Sequence, residues 1–78
     1  MAKSSAESNR DKFVRLAEAR TTRTIKEIRL IGNLSNRNTY SYHQADVEKI
    51  FQALEQELKL ARSRFEKARQ LEPTEFRL

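Results

Sequence analysis

The 78-residue chain has no cysteine and no tryptophan, and it has a single glycine, proline and histidine. Without cysteine there is no disulfide, no thiol nucleophile and no thiolate metal ligand. With His43 alone there is no His pair for a metal site either. No glycine-rich phosphate cradle is present, and no acidic cluster faces a cleft. The inventory therefore argues against an enzyme and implies no metal, cofactor or small-molecule substrate. No apolar run approaches the roughly 18 residues of a membrane span. The first residues lack the apolar stretch of a signal peptide, and a cytoplasmic protein is expected.

What is present points to helix. Hydrophobic residues make up 37% of the chain and charged residues 35%. Scarce Gly and Pro beside abundant Ala, Leu, Glu, Lys and Arg is a helical composition. A chain this short buries only about 60% of the surface its unfolded form exposes. With no disulfide or metal to hold it, oligomerisation is the remaining route to stability.

A polar leader (residues 1–8) ends at Ser8, which with Asp11 three residues later reads as a helix N-cap, and Ser4 with Glu7 offers an earlier start. Across residues 9–31, Val14, Ala17, Thr21, Thr24, Ile28 and Ile31 recur at alternating three- and four-residue spacings, which places them on one stripe. Gly32 follows, where a left-handed C-cap is expected. A loop over 32–43 leads to a second helix over 44–71, with His43 as N-cap, Asp46 at the third helical position, and Tyr42 and Val47 as a hydrophobic staple. There Val47, Phe51, Leu54, Leu58, Ala61, Phe65 and Ala68 keep an unbroken 4,3 spacing, the a/d pattern of a heptad repeat. Glu72-Pro73 disfavours further helix and leaves a tail over 72–78.

Two rods of about 23 and 28 residues, at ~1.5 Å per residue, have similar lengths. The expected fold is an all-α antiparallel two-helix hairpin with a long ordered interhelix loop. One hairpin leaves much of its seam wet, so two are expected to dimerise as a four-helix bundle. The self-association seam comprises Val14, Ile28, Ile31, Val47, Phe51, Leu54, Leu58 and Phe65. Plain core packing explains this stripe better than any ligand pocket.

The formal net charge is +5. Residues 9–31 hold seven basic side chains against three acidic, whereas residues 44–71 hold six against five. On a helical wheel Lys12, Arg15, Arg23 and Lys26 fall opposite Ile28. Two such stripes in a dimer, with Arg37 in the loop, could track a phosphate backbone. A solvated helix face is the plainer reading. No helix-turn-helix spacing or RNA-binding aromatic signature accompanies it. Arg62, Arg64, Lys67 and Arg69 suit the negative end of the second helix.

The loop has two readings. Asn and Ser side chains bond their own backbone and define turns, and Tyr40 and Tyr42 would point one way from an extended segment. They would make a lid over the bundle end. Alternatively, Asn33, Asn36, Arg37, Tyr40 and Tyr42 form a recognition surface for a protein partner. Phe76 and Leu78 in the tail would dock on the protein's own bundle or in a partner's groove.

The stretches Leu16-Ala-Glu-Ala-Arg-Thr21, Ile28-Arg-Leu-Ile-Gly-Asn-Leu-Ser-Asn-Arg37, Tyr40-Ser-Tyr42 and Asp46-Val-Glu-Lys-Ile-Phe51 resemble a group of small, functionally unassigned bacterial helical proteins. The likeness runs from Phe13 to Phe65, with the terminal Phe76-x-Leu78. That group carries a Ser or Thr cap where this chain has His43. The resemblance implies a bacterial helical protein and no activity, with Gly-Asn-Leu-Ser-Asn as a fixed feature. The sequence as a whole points to a self-associating interaction or regulatory protein with a protein partner. A nucleic-acid-binding accessory protein is the alternative.

Overall fold

The computed structural model describes residues 6–70. Leu71, where the sequence ends the second helix, and the tail residues Phe76 and Leu78 lie outside the described residues. Two α-helices, and no strand, are found among the described residues: α1 over Asn9–Asn33 and α2 over Gln44–Gln70. They belong to separate compact units, Met1–Ser41 and Tyr42–Leu78. At 25 and 27 residues they are rods of about 37 and 40 Å. Neither is long and apolar enough to cross a membrane.

α1 starts where its cap dictates. Ser8 is extended, with φ −69° and ψ 163°, and its Oγ accepts the Asp11 backbone N–H at 2.9 Å. The Ser8 carbonyl accepts the first helical bond, from the Lys12 N–H at 2.9 Å. One of the four orphan donors at the helix start is thereby satisfied, and the Asp11 carboxylate sits at the positive end of the dipole. The start of α2 uses the complementary half of a capping box. The His43 N–H donates to Asp46 Oδ2 at 2.8 Å, while its carbonyl accepts the Asp46 N–H at 3.0 Å. Tyr42 and Val47 are half-buried where their neighbours are exposed, as a hydrophobic staple requires.

The C-terminus of α1 departs from the sequence expectation. The helix does not stop at Ile31 on a left-handed Gly32; it continues through Gly32 to Asn33, and no glycine has a positive φ. Leu34, with φ −71° and ψ −4°, closes the helix in right-handed geometry. Its N–H donates to the Ile31 carbonyl at 3.0 Å, and the Ser35 N–H to the Gly32 carbonyl at 3.1 Å. These three-residue bonds tighten the last turn and satisfy two terminal carbonyls, so no left-handed residue is needed. A Cβ at Gly32 meets nothing within 4 Å. Gly32→Ala is therefore expected to raise stability by about 0.5–1 kcal/mol, as at any helical glycine. Urea unfolding of the two chains checks it, and a destabilised variant would restore the left-handed cap.

Both helices are amphipathic, yet no described residue is fully buried. On α1, Val14, Ala17 and Ile31 are half-buried, while Phe13, Ile25 and Ile28 remain exposed. On α2, Val47 and Leu54 are half-buried, while Phe51 is 44%, Leu58 65% and Phe65 65% exposed.

Candidate functional site

The basic face is a product of α1 alone. Lys12 and Arg15 share one turn and Arg23 and Lys26 another, and all four are exposed. The face is not a uniform row of solvated cations. Arg15 Nε donates to Glu7 Oε2 at 2.7 Å and its second terminal nitrogen to Oε1 at 2.9 Å, a bidentate pair. Sequence spacing concealed this partner, which lies eight residues away and before the helix cap. Cα–Cβ bonds tilt toward the helix N-terminus, so Arg15 points back along α1 to meet a residue beyond Ser8.

The hydrogen bonds from Arg15 hold the Glu7 carboxyl below its ordinary range, with the cation's charge adding to them, while partial desolvation opposes. The same bonds hold Arg15 above its ordinary value. Because folding lowers the carboxylate's pKa, the pair's contribution to the α1 start is complete above the unfolded carboxylate value. It disappears as pH falls through the lowered folded value. Side-chain NMR titration is expected to give Glu7 a depressed midpoint that returns to the ordinary range in Arg15→Ala. An unchanged midpoint in the variant would contradict the pairing. The site is exposed, so salt weakens the effect.

Lys12, Arg23 and Lys26 make no ion pair among the described residues. A shallow, open depression on α1, lined by Asp11, Val14, Arg15, Glu18, Ala19 and Thr22, lies beside the basic face. It is too open to enclose a small molecule. Arg10 places its guanidinium 5.9 Å from the Phe13 ring centre, a cation–π contact one turn apart. Among the described residues no group of His, Asp and Glu is arranged to hold a metal.

The segment after α1 is organised by Asn36. Its side-chain oxygen accepts the Asn38 N–H at 3.0 Å, and its carbonyl accepts the N–H groups of Thr39 and Tyr40 at 3.1 and 2.9 Å. This is the self-bonding expected of Asn in a turn. It lifts Arg37, Asn38 and Thr39 into an exposed bulge. Tyr40 is 46% exposed, and Asn33 lies in the last turn of α1. Tyr42 belongs to the second unit, ahead of α2. Of the seam residues, Val14, Ile28 and Ile31 share one face of α1, and Val47, Phe51, Leu54, Leu58 and Phe65 share one face of α2. Thr24 on the α1 stripe donates its hydroxyl to the Arg20 carbonyl at 2.9 Å, so it carries no unmet polar demand into that stripe.

No protein-family model, curated protein or solved structure matches the chain.

Proposed function

We propose that the chain is a small, non-enzymatic interaction protein. It self-associates through the α2 seam and the α1 stripe, as antiparallel hairpins pairing into a four-helix bundle, and binds a protein partner. One observation carries this reading: the unbroken α2 seam of Phe51, Leu58 and Phe65 is exposed on the single chain. Side chains of that size at heptad spacing are stabilised only when a second surface covers them. The loop bulge supports the partner role, because Asn36 fixes the backbone while Arg37 and Tyr40 stand outward. Chains carrying Arg37→Glu and Tyr40→Ala should remain dimeric but lose a protein retained by the immobilised parent chain. Equal retention by both would remove the bulge from the reading.

Lys12, Arg23 and Lys26, exposed and without an ion pair among the described residues, favour a second reading, a nucleic-acid-binding accessory protein. Its test is titration of duplex DNA and single-stranded RNA across salt concentrations. Binding near physiological salt, with a slope flattened when the three are changed to Ala, would establish it. Binding confined to low salt and indifferent to those changes would leave a solvated face.

A further inference from the structure

The α2 seam fixes a heptad frame in which Phe51, Leu58 and Phe65 are a positions and Val47, Leu54, Ala61 and Ala68 are d positions. The positions flanking that seam then hold a pattern that the seam itself does not require. One edge, e, reads Glu48, Glu55, Arg62, Arg69. The other, g, reads Ile50, Glu57, Arg64. The N-terminal half of α2 is acidic on both edges of the seam and the C-terminal half is basic on both.

From this we infer that the seam's occupant is α2 of a second copy of this chain, running antiparallel and centred between Lys59 and Leu60. The inference rests on the self-association proposed above and adds its orientation and register. When two identical helices run oppositely, the twofold axis between them sets e against e and g against g. About that centre Glu48 faces the partner's Arg69, Glu55 the partner's Arg62, and Glu57 the partner's Arg64. Symmetry repeats each pair, and no like charges meet. Two of the three core layers also set a large residue over a small one, Phe51 over the partner's Ala68 and Leu58 over the partner's Ala61, while Leu54 lies over the partner's Phe65. Alternating large and small residues across facing positions lets such layers interdigitate.

Every neighbouring arrangement is worse. Sliding one heptad toward the N-terminus sets Glu55 against Glu55 and Glu57 against Glu57. Sliding one heptad the other way sets Arg62 against Arg62 and Arg64 against Arg64. In a parallel pair, g faces the following e of the partner, so Glu57 would meet Arg62, but Arg64 would meet Arg69. Exposed flanking pairs add little affinity one by one, but they decide partner orientation and register. α1 flanks its stripe with Glu18 and Ile25 on one edge and Phe13, Arg20 and Glu27 on the other, which are not divided into an acidic half and a basic half.

The single chain leaves these groups available. Glu48, Glu55, Glu57, Arg62 and Arg64 are exposed and make no ion pair among the described residues. Arg69 does bond Glu66 at 2.8 Å, with side-chain exposures of 74% and 49%. That solvated pair is weak enough to be shared or exchanged.

The test is a charge reversal read by sedimentation at low and physiological salt. Glu55→Arg with Glu57→Arg makes one variant, and Arg62→Glu with Arg64→Glu the other. Each alone is expected to self-associate more than about tenfold more weakly than the parent, because four attractions become repulsions. An equimolar mixture should recover parent-like association as a heterodimer, which also shows that both variants fold. Orientation is read by thiols, cleanly, because the chain has no cysteine of its own. A mixture of Glu48→Cys and Arg69→Cys chains should form the mixed disulfide, and Ala68→Cys chains alone should not crosslink. A parent that dimerises while the charge variants do so equally well, or an Ala68→Cys disulfide without the mixed one, would overturn the antiparallel register and leave self-association standing. A monomeric parent would overturn both.

Discussion

Leu58→Glu is expected to abolish self-association. Leu58 lies at the middle of the α2 seam and is 65% exposed on the single chain. In a dimer both copies of the position enter the interface, so the substitution acts twice. Losing a buried Leu costs about 2 kcal/mol per site, before any penalty for desolvating a carboxylate. The dimer therefore loses at least about 4 kcal/mol, roughly a thousandfold in its dissociation constant. Cooperative unfolding should vanish with it, because most helical stability in proteins comes from packing an amphipathic face rather than from intrinsic propensity. A Leu58→Glu chain that sediments and melts like the parent would sink the seam assignment.

Phe51→Ala is expected to destabilise by about 3 kcal/mol or more per site, since truncating a packed Phe removes its burial and leaves a cavity. The control is Leu60→Ala. Leu60 is 49% exposed, slightly more than Phe51 at 44%, so exposure on the single chain does not separate them. Their positions do. Phe51 is on the heptad seam, and Leu60 projects about 160° away from Leu58 on the wheel, off that seam. Leu60→Ala should change stability by less than about 0.5 kcal/mol. Chemical denaturation at matched protein concentrations reads both. Similar losses for the two would mean that the covered face of α2 is not the heptad stripe.

Local chemistry was the legible part of this sequence. Ser8 with Asp11, and His43 with Asp46, announce the two helix starts because a cap and its hydrogen-bond partner lie within one turn. The 4,3 spacing announces α2 because periodicity needs nothing outside the segment. The end of α1 was less legible, since a lone Gly after a periodic run commonly marks a left-handed cap. Here the three-residue bonds of Leu34 and Ser35 close the helix without one, and residue type does not signal that choice. The Glu7–Arg15 pair was hidden for a different reason. It joins a residue before the cap to one two turns into the helix, a separation that no periodic template inspects. Asn36 was visible as a turn former, but its service as the acceptor for three backbone N–H groups depends on the path of the chain. Lys12, Arg15, Arg23 and Lys26 all lie on α1, but the pairing of Arg15 with Glu7 needs coordinates to be seen.

Sedimentation equilibrium combined with far-UV circular dichroism, run across a dilution series from high to sub-micromolar concentration, tests self-association most directly. A dimer mass is expected at micromolar concentration and above, with helicity falling on dilution in step with the mass. A monomer mass at micromolar concentration, with helicity undiminished, would contradict it.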